Sequence, residues 1–269
     1  MTEMLGPYRI NDIVCGDCLD VMAKLPDACV DMVVTSPPYF NLKSYACWET
    51  YEDYILDVCR WLHQLFRIVK AGRHVLWNCP EKLKYPPRES GLPERTYLPI
   101  LSDTERCARL AGFLPERVIV WEKPNCNNQR MFGSYPYPPT IIVTPITEVV
   151  AHLRKPGKLV VNKEAKSRSK ITKEDWVKWA VNVWRFSIAI SNPHPAPFPA
   201  ELPKRCVTFW SCKDDLIFDP FMGSGTTAIA ADRLGRNFFG CDINAGYVKM
   251  ALNRLEEDRQ KRAQLEMNL

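Results

Sequence analysis

The sequence VDMVVTSPPY at residues 30–39 decides how the rest of the chain is interpreted. Its first half is an apolar run rich in β-branched residues, which predicts a buried strand over residues 30–34. The strand must stop at Pro37 and Pro38, because a proline has no backbone N–H to donate to a neighbouring strand. A stiff loop results, with the Ser36 hydroxyl, carbonyl oxygens and the ring of Tyr39. Oxygen acceptors beside an aromatic face suit a flat heterocycle that carries an exocyclic amino group.

Length and composition limit the class of protein. The chain has 269 residues, of which 46% are hydrophobic, so it can form one large domain or a domain with an insert. No run approaches the ~18 apolar residues of a membrane helix, and the N-terminus lacks a signal pattern. The 11 cysteines are scattered, which predicts reduced thiols in the cytoplasm. Cys15 and Cys18 have the spacing of half a metal site, but no second pair exists, so we expect no metal.

Alternating patterns of strand and helix predict an α/β fold. The predicted strands are 8–15, 30–34, 74–78, 117–121, 148–153, 215–218 and 237–241. The predicted helices are 18–25, 52–69, 103–111, one ending at 234, and 247–263. Gly72 and Gly112 are expected to end two of these helices. Strand 148–153 is the expected hairpin partner of 117–121, and the proline-rich residues 80–99 are an expected surface loop.

A second motif, DPFMGSGTTA at residues 219–228, follows the predicted strand 215–218 and precedes a predicted helix. This arrangement fits the fingerprint Gly-x-Gly-x-x-Ala. Gly223 permits a tight turn, and Gly225 lets the backbone approach a ligand closely. Asp242 ends the next strand about 20 residues later, where an acid can accept hydrogen bonds from both hydroxyls of a ribose. The segment therefore predicts a site for a nucleoside-like cofactor.

The position of this motif near the end of the chain argues against a dinucleotide enzyme. A dinucleotide fold opens with the glycine motif and needs several further strand–helix units. Too little chain follows Gly225 for those units, so the N-terminal strands must complete the sheet. A nicotinamide-dependent dehydrogenase is therefore the weaker alternative.

Positive charge is concentrated between Arg154 and Arg185. This stretch has ten lysines and arginines against three acids, a balance of +7 where the whole chain carries +5. Trp176, Trp179 and Trp184 are interleaved with the lysines. Basic residues with aromatic neighbours favour contact with a nucleic-acid backbone, and a solvated linker is the alternative.

Taken together, these motifs resemble those of the β-class DNA amino-methyltransferases, which use S-adenosylmethionine. Residues 35–39 resemble the catalytic motif (D/N/S)PP(Y/F/W), and residues 218–226 resemble the FxGxG cofactor motif. Gly16-Asp17 resembles the segment that meets the adenine end of the cofactor, and HPAPFPAELP at residues 194–203 resembles the one that encloses its methionine part. The order of catalytic loop, basic region and cofactor loop is that of the β class.

The resemblance implies a Rossmann-like methyltransferase sheet with a circularly permuted motif order. Its sheet would be mostly parallel with one antiparallel hairpin strand. Residues 1–153 would form the catalytic part, residues 154–193 an inserted target-recognition region, and residues 194–269 the cofactor-binding part of the same domain. The implied cofactor is S-adenosylmethionine, and the implied partner is double-stranded DNA.

The same resemblance assigns the site residues. The catalytic candidates are Ser36, Pro37, Pro38 and Tyr39: Tyr39 would stack on a base flipped out of the duplex, while the Ser36 hydroxyl and Pro37 carbonyl accept hydrogen bonds from its amino group. The cofactor-binding candidates are Asp17, Thr35, Phe198, Pro199, Asp219, Pro220, Phe221, Gly223, Ser224, Gly225, Thr226, Asp242 and Asn244. The DNA-binding candidates are Lys43, Lys158, Lys163, Lys166, Arg168, Lys170 and Lys173.

The implied function is site-specific DNA methylation at an exocyclic amino group, cytosine N4 or adenine N6. Ser36 leans toward cytosine N4 without deciding the choice. Methylation at cytosine C5 is disfavoured, because that chemistry needs a cysteine in a Pro-Cys pair and this chain has Cys79-Pro80. The alternatives are an RNA or protein-glutamine methyltransferase and a DNA-binding module with a decayed site. A homodimer, a cognate restriction endonuclease and a cytoplasmic, nucleoid-associated location in a bacterium or phage are further expectations.

Overall fold

The computed structural model describes residues 3–40, 47–85, 96–124, 136–137, 143, 145–188 and 199–267. The strands are β1 (Met4–Leu5), β2 (Tyr8–Arg9), β3 (Asp12–Cys15), β4 (Val30–Thr35), β5 (Val69–Cys79), β6 (Leu83–Tyr85), β7 (Thr96–Leu98), β8 (Leu114–Pro115), β9 (Ile119–Glu122), β10 (Thr147–Arg154), β11 (Val183–Arg185), β12 (Leu216–Asp219) and β13 (Asn237–Asp242). The helices are α1 (Cys18–Ala23), α2 (Tyr51–Ile68), α3 (Ile100–Ala111), α4 (Lys163–Ser167), α5 (Lys173–Trp179), α6 (Glu201–Trp210), α7 (Thr226–Arg233) and α8 (Ala245–Met267).

One large sheet runs through the structure in the order β11-β9-β10-β5-β4-β12-β13-β3, with β8 paired to β10. Along this order the pairings are parallel except at β10, which is antiparallel to both β5 and β9. The C-terminal strands β12 and β13 lie between the N-terminal strands β4 and β3, so the predicted permuted α/β sheet with one antiparallel hairpin strand is confirmed. None of the helices in the described ranges is long and apolar enough to cross a membrane.

Helices cover both faces of this sheet, and β4 contributes to both sides of the core. All six residues of β4 are buried, as expected for a central parallel strand. Val33 packs in the cluster that contains α1, α2 and α3. Met32 and Val34 point the other way, toward α6, α7 and α8, because successive side chains of a strand alternate between its faces.

The parallel strands give the sheet two different edges. We call the ends of β3, β4, β5, β12 and β13 the carboxyl edge, and the starts of the same strands the amino edge. The six residues of β4 separate the two edges by about 20 Å. The two edges are too far apart for one side chain to reach both.

Two predicted boundaries are wrong. The predicted strand 8–15 is divided between β2 and β3, because Asn11 turns the chain with φ of +65°. Helix α2 does not end at Gly72; the chain passes from Ile68 directly into β5, and Gly72 lies inside that strand with φ of +74°. A Cβ at Gly72 would lie 2.6 Å from the backbone nitrogen of Leu159, so a close approach of the chain requires this glycine.

Segments expected to be irregular or inserted contain regular structure. Strands β6 and β7 pair antiparallel within the predicted loop 80–99. The basic stretch contains α4, α5 and β11, and β11 extends the main sheet by pairing with β9. Trp179 and Trp184 are only 6% and 1% exposed, so neither is a surface aromatic that could contact a nucleic acid. The division into three parts at residues 153 and 193 stays a prediction.

The expectation that every cysteine is a reduced thiol is wrong at one pair. Cys59 of α2 and Cys107 of α3 form a disulfide, with their Cα atoms 4.8 Å apart. The two helices pack against each other and bring together residues 48 positions apart in the chain. Spacing along the sequence carries no sign of such a contact.

Buried charges hold the amino edge together. Arg73 of β5 contacts the carboxylates of Asp31 at 2.9 Å and Asp215 at 2.6 Å, and its side chain is 5% exposed. Asp31 also binds Lys70 and accepts a hydrogen bond from the backbone N–H of Leu216. One guanidinium therefore joins the beginnings of β4, β5 and β12.

Removing this guanidinium should destabilise the fold strongly. We expect Arg73→Met to lower the free energy of unfolding by about 3–5 kcal/mol, since it leaves buried carboxylates without their partner. Urea unfolding followed by tryptophan fluorescence measures the loss. In the matched control Arg60→Met, the exposed pair with Asp57 should contribute less than about 1 kcal/mol. Equal losses in the two variants would contradict this role of Arg73.

Candidate active site

Most predicted site segments meet at the carboxyl edge. The loop at residues 35–39 follows β4, the glycine loop follows β12, Asp242 ends β13 and Asp17 follows β3. These strands are neighbours in the sheet. Ligands of open α/β sheets bind outside the carboxyl ends of the strands. The structure therefore brings two motifs about 180 residues apart into one site, where a buried threonine–aspartate hydrogen bond joins them.

The Asp219 carboxylate connects the catalytic loop to the glycine loop. Its Oδ1 accepts hydrogen bonds from the Thr35 hydroxyl at 2.6 Å and from the backbone N–H of Phe221 at 3.0 Å. Its Oδ2 accepts one from the Thr227 hydroxyl at 2.7 Å. Burial raises the pKa of Asp219 to about 6, against the lowering effect of these donors. Thr35 and Asp219 were both predicted to bind the cofactor, and here their side chains bind each other.

The glycine loop has a left-handed backbone at both of its glycines. Gly223 has φ of +52° and Gly225 has φ of +82°. The N–H of Gly223 donates to the Asp242 carboxylate at 2.9 Å. A Cβ at Gly225 would lie 2.8 Å from the Cβ of Ala251, so the packing of α8 also requires this glycine.

Two acids follow or end the neighbouring strands β3 and β13 at this edge. The Asp242 carboxylate is held by the N–H groups of Gly223 and Asn244, each at 2.9 Å. The Asp17 side chain is exposed and caps α1 by accepting from the N–H of Leu19 at 2.8 Å. The N–H of Gly16 donates to the carbonyl of Asp242 at 3.0 Å, which joins the two loops. Fixed carboxylates beside a glycine turn fit the hydroxyl-rich nucleoside part of S-adenosylmethionine.

Other predicted cofactor residues are placed around the same loops. Phe221 packs edge-on against Trp61, with ring centroids 4.8 Å apart, and the Asn244 carboxamide accepts from the N–H of Gly246 at the start of α8. The remaining candidates in the described part of the chain are buried: Pro199, Pro220, Ser224 and Thr226. Two predicted site residues, Lys43 and Phe198, lie outside the described residues.

The catalytic loop belongs to a polar network that extends beyond the predicted residues. The Ser36 hydroxyl lies 3.2 Å from the Tyr39 hydroxyl, which donates to Glu148 Oε2 at 3.3 Å. The Asn78 amide nitrogen donates to Tyr39 and to Glu148, each at 2.8 Å. Lys123 binds the other oxygen of Glu148 at 2.8 Å. Burial raises the pKa of Tyr39 well above its ordinary value, and Glu148 raises it further, so this hydroxyl stays protonated.

Sequence reasoning missed Asn78, Lys123 and Glu148. Asn78 was detectable, because it ends a predicted strand next to β4 and thus lies at the carboxyl edge. Glu148 and Lys123 depend on the register of β10 with β5 and β9, in which Val149 lies opposite both Cys79 and Val120. No spacing in the sequence specifies that register.

Cys79 lies at this edge but has no sign of a nucleophile. Its side chain is fully buried, and burial raises the pKa of the thiol, so it is not a thiolate at neutral pH. This environment agrees with the sequence argument against cytosine C5 chemistry.

The predicted DNA-binding residues of the basic stretch are exposed, but much of the stretch lies at the amino edge. The carbonyl of Val160 accepts from Arg73, Arg168 pairs with Asp214, and Ser169 accepts from the N–H of Lys213. The exposed candidates are Lys158, Lys163, Lys166, Arg168, Lys170 and Lys173. The segment is therefore fixed near the start of β12, away from Ser36. Contact of these residues with DNA stays a prediction.

The permuted sheet, with a proline loop and a glycine loop joined at its carboxyl edge, defines a methyltransferase that uses S-adenosylmethionine. Residues 30–253 match the family model described as DNA methylase, and the chain belongs to this family. It is an S-adenosylmethionine-dependent DNA methyltransferase, as the motifs predicted.

Individual relatives agree with this assignment. The type II methyltransferase M.BglII of Bacillus subtilis is 28% identical over 90% of this chain and 68% of its own length. TTHA0409 of Thermus thermophilus, assigned as a DNA modification methylase and solved with S-adenosyl-L-methionine, is 30% identical. That match covers 92% of this chain and 93% of TTHA0409, with a TM-score of 0.77. The PvuII cytosine-N4-specific DNA methyltransferase is 20% identical with a TM-score of 0.66, covers 92% of this chain and 89% of its own, and shows the shared fold alone.

These findings confirm the predicted fold class, cofactor and enzyme class. The alternatives of an RNA methyltransferase, a protein-glutamine methyltransferase and a decayed DNA-binding module are not favoured, and neither is a dehydrogenase.

The raised pKa of Asp219 predicts a pH effect on stability. Since the folded pKa of about 6 exceeds the ordinary 3.8, the folded protein holds this proton more tightly than the unfolded chain. Its contribution to stability is therefore lost as the pH rises through about 6. Relative to Asp219→Asn, the wild type should lose roughly 1 kcal/mol of unfolding free energy between pH 5 and pH 7.

Urea unfolding of both proteins at the two pH values measures this difference. Asp20→Asn, which changes an exposed acid in the first turn of α1, is the matched control for the loss of one carboxyl group. A wild-type and Asp219→Asn difference that stays constant from pH 5 to pH 7 would mean that the pKa is not raised.

Proposed function

We propose that this chain methylates an exocyclic amino group of a base flipped out of double-stranded DNA, with Ser36 and Tyr39 holding the base. The hydrogen bond between Thr35 and Asp219 carries the proposal. Ser36 is the next residue after Thr35, so this buried 2.6 Å contact fixes the amino-binding hydroxyl relative to the glycine loop. Direct methyl transfer needs the site of the target amino group and the site of the methyl donor to be held at a constant separation.

The proposed mechanism depends on position and polarity rather than on a covalent intermediate. S-adenosylmethionine supplies a methyl group on a sulfonium when it is bound. The Ser36 hydroxyl and the Pro37 carbonyl accept hydrogen bonds from the target amino group, and the Tyr39 ring stacks on the base. These contacts localise the nitrogen lone pair and orient it toward the cofactor loop. Extrusion of the base from the duplex costs about a few kcal/mol, which the stacking contact offsets in part.

Cytosine N4 is the first choice of target atom, and adenine N6 is the second. The support is Ser36 at the first position of the catalytic motif, because the resemblance to the β class favours cytosine N4 when this residue is serine. Digestion of DNA methylated by this chain, followed by mass spectrometry of the nucleosides, distinguishes N4-methylcytosine from N6-methyladenine directly.

We propose two partners besides DNA, a second copy of this chain and an endonuclease. A two-fold homodimer would fit a palindromic recognition site, and sedimentation with and without DNA tests it. A cognate endonuclease would place the enzyme in a restriction-modification system, as the type II designation of M.BglII suggests. We place its work in the cytoplasm of a bacterium or phage-infected cell, at the nucleoid, because that is where its DNA substrate lies.

The basic residues of the amino edge provide a test of long-range DNA contact. If phosphates bind there, Lys163→Glu combined with Lys166→Glu should weaken binding of all DNA sequences alike. The plot of log affinity against log salt should become shallower by about 0.9 for each lost contact. Unchanged affinity and slope would assign these lysines to a solvated surface.

Substitutions in the catalytic loop separate methyl transfer from cofactor binding. We expect Ser36→Ala and Tyr39→Ala to abolish methylation while S-adenosylmethionine affinity stays within roughly tenfold, because their side chains face the base rather than the glycine loop. Tyr39→Phe is the matched control, which keeps the ring and should retain more activity than Tyr39→Ala. Single-molecule sequencing of DNA from expressing cells reports methylation, and calorimetry reports cofactor binding. Methylation at the wild-type level in Ser36→Ala or Tyr39→Ala would contradict the assigned roles.

A further inference from the structure

The polar network at residues 36 and 39 includes a charged residue that the proposed mechanism does not use. Glu148, at the start of β10, is bound by Lys123, Asn78 and Tyr39. Its side chain is 22% exposed, and that of Lys123 is 15% exposed. An acid held by three donors beside a catalytic loop is more than a surface ion pair.

The direction of each hydrogen bond in this network follows from Glu148. A carboxylate accepts hydrogen bonds and cannot donate them. The amide nitrogen of Asn78, 2.8 Å away, must therefore face it. If the amide were reversed, its oxygen would lie against the carboxylate. The single hydrogen of the Tyr39 hydroxyl must also point to Glu148.

The direction of the Tyr39 hydrogen bond determines whether the Ser36 hydroxyl donates or accepts. The Ser36 and Tyr39 hydroxyls lie 3.2 Å apart, and either could donate to the other. Since the Tyr39 hydrogen is directed at Glu148, Ser36 has to be the donor in this pair. The Ser36 hydrogen then points inward, toward Tyr39. The Asn78 amide nitrogen also donates to Ser36 Oγ, at 3.4 Å, so one lone pair of this oxygen remains for a group outside the network.

We propose that Glu148, held by Lys123, is a positioning residue that sets the direction of the hydrogen-bond chain through Tyr39 and so makes Ser36 Oγ an acceptor for the target amino group. This inference rests on the proposed function, because an acceptor at Ser36 is useful for an N–H donor. Without the charge at Glu148, the Tyr39 hydrogen can turn toward Ser36. The Ser36 hydroxyl then points outward and opposes the amino hydrogens.

Glu148→Gln tests the proposal with little change in shape. Lys123 has only donors, so it retains the carboxamide oxygen of the new side chain and leaves the amide nitrogen facing Asn78 and Tyr39. We expect kcat to fall roughly 100-fold, since the Ser36 hydroxyl then points its hydrogen, and not a lone pair, at the target amino group. The KM values for S-adenosylmethionine and DNA should change less than about threefold, because binding contacts are retained. Transfer of tritiated methyl groups to unmethylated genomic DNA measures both.

A double-mutant cycle with Tyr39→Phe distinguishes direction from general damage. In Tyr39→Phe the hydroxyl that links Glu148 to Ser36 is absent, so adding Glu148→Gln should reduce kcat less than about threefold further. If Glu148 had only a structural role, Glu148→Gln would lower kcat by the same factor in the wild type and in Tyr39→Phe. Glu116→Gln is the matched control: it removes an acid that pairs with Arg154 on an exposed part of the chain and should have wild-type kinetics.

The outcomes separate this inference from the proposed function. If the wild type and Glu116→Gln methylate DNA, and Glu148→Gln does so with a kcat within about threefold of theirs, the assignment of Glu148 is overturned and the function stands. Equal losses from Glu148→Gln with and without the Tyr39 hydroxyl would overturn it as well. A wild-type chain that transfers no methyl group to DNA would overturn the proposed function itself.

Discussion

The buried Asp219 carboxylate is the contact on which the site depends. It binds Thr35, Thr227 and the backbone of Phe221 at distances of 2.6–3.0 Å. These partners belong to the catalytic loop, the helix after the glycine loop and the glycine loop itself. Burial raises the pKa of this carboxyl. The same side chain holds together two loops that are distant in the chain and that form one site.

The two edges of the sheet have different tasks. At the carboxyl edge, hydroxyls, an amide and a carboxylate converge on Ser36 and Tyr39, and their hydrogen bonds have a defined direction because Glu148 can only accept. At the amino edge, Arg73 joins Asp31 and Asp215 in a buried ion cluster. The hydrogen-bond network at the carboxyl edge belongs to the proposed reaction site, and the ion cluster at the amino edge holds the parallel strands in place. The exposed lysines near the amino edge lie outside both networks.

Much of this could be predicted from local patterns. The proline loop after β4, the glycine loop after β12 and Asp242 at the end of β13 follow from strand ends and from residues with special backbone preferences. Their convergence follows from the parallel pairing of these strands, whose carboxyl ends lie at the same edge of the sheet, where ligands of such sheets bind. Two predicted boundaries were wrong. Asn11 turns the chain inside the predicted strand 8–15 with a left-handed φ. Helix α2 ends at Ile68 because the chain passes directly into β5, where Gly72 lies against Leu159, a residue distant in sequence. The Cys59–Cys107 pair is likewise a product of helix packing.

The sequence by itself determined the class of enzyme and its cofactor, and it singled out the loop that we propose to hold the target base. These depend on short motifs whose prolines, glycines and acids act through local backbone geometry. Only the tertiary structure decided that Thr35 and Asp219 bind each other, that Asn78, Lys123 and Glu148 belong to the catalytic network, and that much of the basic stretch lies at the amino edge. Those facts depend on strand register and on which edge a segment reaches. Register is set by packing over the whole sheet, so it is not encoded in any single stretch of the chain.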